Sequence, residues 1–173
     1  RTPKTDFDTT RPVAPELLAR LLASAPASGQ TALRVGGTVA ADQLLALRTL
    51  CWESAQVELL TPRTMMESIH LTRVGPAEIL QHRDGISINS PFVRAVAALG
   101  LFDRTQPPAE GSAAYKSAMG RFEGHSRTAM GFVWITSPNT RSDQVRAGRA
   151  YVRLQLHATA LGIRNAFLNQ PVE

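Results

Sequence analysis

The sequence predicts an α+β domain in which a small sheet is packed by several helices. Three observations carry that expectation. Apolar residues recur at spacings of three and four over Pro15–Ser24, Ala40–Leu60 and Ser142–Leu161. Two shorter runs, Ala32–Val35 and Ala129–Ile135, read as strands bounded by turn residues. Strands and helices do not alternate regularly, which argues against a doubly wound parallel sheet.

Taken in order, Asp6–Val13 is extended and turn-rich. Pro15 then suits the first turn of a helix, where its missing N–H costs nothing. That helix places Leu17, Leu18, Leu21 and Leu22 on one face and is stopped by Ala25-Pro-Ala-Ser-Gly29. A short strand over 32–35 ends at Gly36-Gly37. From Ala40 to Leu60 a broad apolar stripe includes Leu44, Leu45, Leu50, Cys51, Val57 and Leu60. Pro62 opens a short helix through Met65 and Ile69, and Pro76–His82 adds one or two turns closed by Asp84-Gly85. Ser90-Pro91 begins another helix with Phe92, Val93, Val96 and Leu99 on it. Phe102–Gly124 is poor in aliphatic residues and reads as a surface excursion with one short helix near Ala113–Met119.

The run Ala129–Ile135 is too short for a core helix. Its aromatic and β-branched residues predict a strand buried on both faces. The helix that follows divides cleanly. Ala147, Tyr151, Leu154, Ala158 and Leu161 form an apolar line, and Arg146, Arg149, Arg153 and His157 a polar one. Gly148 and Ala150 are small enough to admit a neighbouring backbone, Gly162 is the expected C-terminal cap, and Ile163–Leu168 is expected to be a further strand.

With 173 residues and 43% hydrophobic content the chain can bury a substantial core and is not of the disordered class. No apolar run is long enough for a membrane helix, so no membrane partner is expected. The chain opens on Arg1 without an initiator Met and without a signal-like n-region and h-region, and it reads as a piece of a longer protein. A cytoplasmic setting is expected if no leader has been removed. The single cysteine, Cys51, excludes an internal disulfide and reads as a small core residue between Leu50 and Trp52. The net charge of +5 admits an anionic partner, yet the arginines are spread thinly and only Arg141, Arg146, Arg149 and Arg153 cluster. That distribution speaks against a nucleic-acid surface.

No P-loop, G-x-G-x-x-G or G-x-S-x-G pattern occurs, and the four histidines have no metal-ligand spacing. Chemistry would therefore fall to a bound cofactor. Two loops have suitable groups. Arg1-Thr-Pro-Lys-Thr5 offers a guanidinium, an ammonium and hydroxyls suited to an anion. Ala27-Ser-Gly-Gln-Thr31 offers close backbone approach at Gly29 and adaptable donors and acceptors. Taken alone, the first is as simply a basic chain terminus and the second a helix-to-strand turn.

In combination these segments resemble the FMN-dependent nitroreductase superfamily. The resemblance rests on Arg1-Thr2, Lys4, Phe7-Asp8, Pro12-Val13, Pro15-Glu-Leu-Leu18 and Ala25-Pro-Ala-Ser-Gly-Gln-Thr31 at one end. At the other it rests on Ala147-Gly-Arg-Ala150 and Leu156-His-Ala-Thr-Ala-Leu-Gly-Ile163. The middle, 40–127, matches only in being helical. The likeness is greatest to the divergent Acg-like branch, whose chains carry two nitroreductase-like halves.

The resemblance implies a nitroreductase-like fold with a small, mostly antiparallel sheet. It implies one domain over 1–173, a candidate for one half of a duplicated protein. It also implies an FMN-dependent oxidoreductase using NAD(P)H as cosubstrate and a nitroaromatic or quinone-like small molecule as electron acceptor. No residue would be catalytic in its own right. Arg1, Thr2, Lys4, Ser28, Gly29, Gln30 and Thr31 would bind the flavin, and the site would be completed by a homodimer partner or a fused second half. Pro3, Gln30 and Ala32-Leu33-Arg34 depart from the family's pattern, which motivates a second reading: a non-catalytic relative that sequesters flavin or serves in partner assembly.

Overall fold

A computed structural model describes residues 6–25 and 32–172. It is α+β, with seven α-helices and four short strands among the described residues. The chain divides into two compact units, one formed by Arg1–Ser54 with Gly120–Glu173 and the other by Ala55–Met119.

In the first unit, α1 (Pro15–Ala23) leads to β1 (Arg34–Thr38), and β4 (Phe132–Thr136) precedes α7 (Arg141–Ala160). Strands β1 and β4 pair antiparallel, with Arg34 opposite Thr136, Gly36 opposite Trp134 and Thr38 opposite Phe132. Helices α1 and α7 share the core of this unit. Leu21 and Ala25 meet Leu154 and Ala158, and Val35, Ile135, Leu161 and Ile163 pack against them. The α7 line of Leu154 and Ala158 is thus the buried one, joined by Ala150.

The cap chemistry of α7 explains its length. The Thr140 hydroxyl accepts from the Asp143 N–H at 3.2 Å, satisfying one orphan donor of the first turn. At the other end Gly162 adopts φ +75°, its N–H donates to the Thr159 carbonyl, and Ile163 N–H donates to the Ala158 carbonyl. This crossed pair of bonds is the Schellman arrangement, in which a left-handed glycine ends the helix.

Strand β4 is not buried on both faces: Val133 and Trp134 are exposed. Among the described residues the sheet has two strands, so both are edge strands; Ile135 packs on the core from one face, Val133 on that same side stays partly open, and Trp134 lies on the other, open face. On the open face the indole of Trp134 lies over Gly36. A Cβ there would come within 2.5 Å of Trp134 Nε1, so glycine makes room for the ring. Strand β1 continues through Gly36-Gly37 rather than ending before them, with Gly36 opposite Trp134 and Gly37 opposite Val133. The segment expected as a strand over 163–168 forms none. Its first residue is held by the helix cap and the core instead.

Helix α2 (Ala41–Leu60) begins in the first unit and buries Leu44 and Cys51. Its expected stripe is only partly covered, for Leu45, Leu50, Val57 and Leu60 remain exposed. Arg48 donates from both Nε and a terminal nitrogen to the Ala129 carbonyl, at 2.8 and 2.5 Å, tying α2 to the entry of β4. Helix α6 (Ala113–Thr128) is 16 residues long, more than twice the reach expected from its sequence. Its aliphatic content is low, but Gly124, His125 and Ser126 are buried, so tertiary docking rather than an apolar stripe extends it.

In the second unit, α3 (Pro62–His70), β2 (Thr72–Val74), α4 (Gly75–His82), β3 (Ile86–Ile88) and α5 (Pro91–Ala98) follow one another closely. Strands β2 and β3 pair in parallel, with Thr72 opposite Ile86 and Val74 opposite Ile88. Helix α4 is the crossover that a parallel pair requires. The single, mostly antiparallel sheet expected from the sequence is therefore replaced by two separate pairs, one antiparallel and one parallel. Among the described residues no helix is long and apolar enough to cross a membrane.

Candidate functional site

The flavin-binding residues that the resemblance implies, Arg1, Thr2, Lys4, Ser28, Gly29, Gln30 and Thr31, lie outside the described residues. The residues adjoining both loops are described, and both sets belong to the first unit.

After the first loop, Asp6 and Phe7 dock on the last turns of α6. The Phe7 N–H donates to Thr128 Oγ1 at 2.9 Å, and that hydroxyl donates to the Gly124 carbonyl at 2.6 Å. The Phe7 ring lies 5.6 Å from the His125 ring at a tilt of 42°. The Asp6 carboxylate sits directly on Gly124, where any Cβ would collide with it. His125 and Ser126 are buried beneath this contact zone, and Ser126 Oγ finds no hydrogen-bond partner among the described residues.

The next turn is fixed locally. Asp8 accepts from the Thr10 N–H at 3.1 Å, the Thr10 hydroxyl at 2.6 Å and Arg11 Nε at 2.9 Å. The Thr10 hydroxyl is the first cause holding the Asp8 carboxyl below its ordinary range. Sequence reasoning missed Gly124 and Thr128 as anchors. Nothing in the polar, small-residue run 120–128 has an apolar period, so the only signal was the pair of glycines.

The second loop departs from Ala25, which is fully buried in the core shared by α1 and α7. The Ser24 hydroxyl donates to the Leu21 carbonyl at 2.6 Å, helping to close α1 at that point. On its far side the chain joins β1 at Arg34.

The second unit contains the strongest electrostatic feature. Arg104 binds Glu78 in a two-pronged pair, with contacts of 2.6 and 2.8 Å, and the Val74 N–H donates to the same carboxylate at 2.8 Å. The guanidinium first, and then the backbone N–H, lower the Glu78 carboxyl from 4.5 to about 2. An open cavity of about 520 Å³ in this unit is lined by Val74, Gly75, Pro91, Arg94 and alanines of α5. Its lining is mostly apolar with one cation, and it has no acid–base pair.

Cys51 is buried, and burial pushes its thiol up, which makes it a poor nucleophile. Among the described residues no group of three or more His, Cys, Asp or Glu side chains is placed to hold a metal ion. No family model, curated protein or solved structure matches the chain.

Proposed function

We propose that the chain has a nitroreductase-like fold and acts as an FMN-dependent NAD(P)H oxidoreductase of nitroreductase type. Its acceptors would be nitroaromatic or quinone-like molecules. The observation that supports this reading most is where the matching segments lie. The amino-terminal and carboxy-terminal motifs are far apart in sequence, yet they fall in one compact unit, with α1 and α7 sharing a core. Much of the middle, which matches only in being helical, forms the other unit.

The donor set of the two loops fits FMN chemically. Arg1 and Lys4 would neutralise the phosphate or the electron-rich edge of the ring. Thr2, Ser28, Gln30 and Thr31 would hydrogen-bond ribityl and ring edges, and Gly29 would let the backbone approach. When bound, FMN supplies the chemistry of accepting a hydride from NAD(P)H and passing electrons to the acceptor. The protein's part is to bind and orient it. In the family the flavin lies between two protomers, so a second copy or a fused nitroreductase-like half would complete the site.

The departures at Pro3, Gln30 and Ala32-Leu33-Arg34 favour a second reading, a non-catalytic relative that holds flavin or serves in partner assembly. Steady NAD(P)H oxidation by FMN-loaded protein in the presence of a quinone supports the enzyme. Bound FMN without such turnover supports the second reading.

A further inference from the structure

We infer that the cavity of the second unit is a binding site for a small organic carboxylate, with Arg94 holding the carboxylate and the apolar wall holding its body. The cavity measures about 520 Å³. It is lined by Val74 at the end of β2, Gly75 at the start of α4, and Pro91, Arg94, Ala95 and Ala98 of α5. Sites that enclose small molecules measure about 300–1,000 Å³ and are mostly apolar with a few placed polar groups. On α5, Pro91, Arg94, Ala95 and Ala98 stand at spacings of three and four, so they share one helix face. The alanines of that face leave open the space that longer side chains would fill. Arg94 runs beside Gly75, its Cγ lying 3.9 Å from where a Cβ of that glycine would stand.

The charge selects the ligand. Arg94 is the one charged residue in the lining. Among the described residues its guanidinium has no ion pair, whereas Arg11, Arg73, Arg104 and Arg146 each hold a carboxylate. Glu78, which accepts from the Val74 N–H of the lining, is already gripped by both prongs of Arg104. The cavity therefore joins an uncompensated positive charge to an apolar wall. A guanidinium presents parallel N–H donors that match the two oxygens of a carboxylate. One guanidinium balances one negative charge, and the lining offers no second cationic side chain for a phosphate dianion. The lining residues all belong to the second unit and the residues adjoining the donor-rich loops to the first, so the site requires neither loop.

The test is an amide NMR titration of the 173-residue chain with naphthoate. Naphthamide serves as the neutral isostere, and inorganic phosphate as an anion without an apolar body. The expected result is saturable naphthoate binding with a dissociation constant of about 0.1–1 mM. Shift changes should concentrate at the amides of Val74, Gly75, Ala95 and Ala98. Naphthamide and phosphate should each bind about fivefold or more weakly, a charge-assisted bond reduced by solvent screening. Arg94→Gln should weaken naphthoate by the same factor and leave naphthamide unchanged, which separates loss of the charge from loss of the fold. Ala98→Leu, which extends a side chain into the cavity, should weaken both organic probes. No shifts at those amides up to about 10 mM naphthoate, phosphate binding as tight as naphthoate, or an Arg94→Gln variant that binds naphthoate like the parent overturns the site. FMN uptake is read separately by absorbance, so the failure of the carboxylate site and the failure of the proposed function are distinguished.

Discussion

Glu78 shows how one side chain can set an acid limit. Its carboxyl titrates at about 2 in the folded chain, against 4.5 for an ordinary glutamate. A depressed folded pKa means that the stabilisation is fully present above the unfolded value and is lost as pH falls from about 4.5 toward 2. The pair is partly open to solvent, with side-chain exposures of 33% for Arg104 and 24% for Glu78, so screening reduces its worth to about 1–2 kcal/mol. Arg104→Met should lower stability by that amount near neutral pH and flatten the loss on acidification. Urea unfolding of both proteins across that window reads the difference. At the same scale, Gly124→Val should force Asp6 off α6, at a cost of about 1–3 kcal/mol. Faster cleavage in limited proteolysis near residue 6 would register the release, and an unchanged digestion pattern would contradict the docking.

Among elements, α7 was the easiest to read and α6 the hardest, and the contrast is physical. Helix α7 has a polar cap at Thr140, a glycine at Gly162 and an apolar line between them, so local and tertiary preferences agree. Helix α6 owes its second half to contacts with Asp6 and Phe7, more than a hundred residues away, which no local pattern announces. Strand β4 was legible as a strand but not in its burial, because a run of apolar residues does not reveal how many strands will flank it. The three-residue strands β2 and β3 were too short to leave a period at all. The candidate loops were visible as donor-rich punctuation, while the anchors beside them, Thr128 and Ala25, became evident only from their contacts. Because α7 and α1 share one small core, Leu154→Ala should cost about 2–4 kcal/mol, measured as the shift in urea midpoint.

For the whole molecule, the two ends of the sequence and the middle fall largely into different compact units. The first unit contains the shared α1–α7 core and the residues flanking both donor-rich loops. Apolar residues remain exposed on both α2 and α7, Leu45, Leu50, Val152 and Leu156 among them.

The most direct measurement of the central claim is an absorbance and fluorescence titration of the purified chain with FMN, beside an Arg1→Ala/Lys4→Ala variant. The account predicts saturable binding, seen as perturbed flavin bands and altered flavin fluorescence, with affinity reduced about tenfold or more in the variant through loss of two charge-assisted contacts. A chain that leaves the flavin spectrum unchanged, or a variant that binds FMN as tightly as the parent, would contradict it.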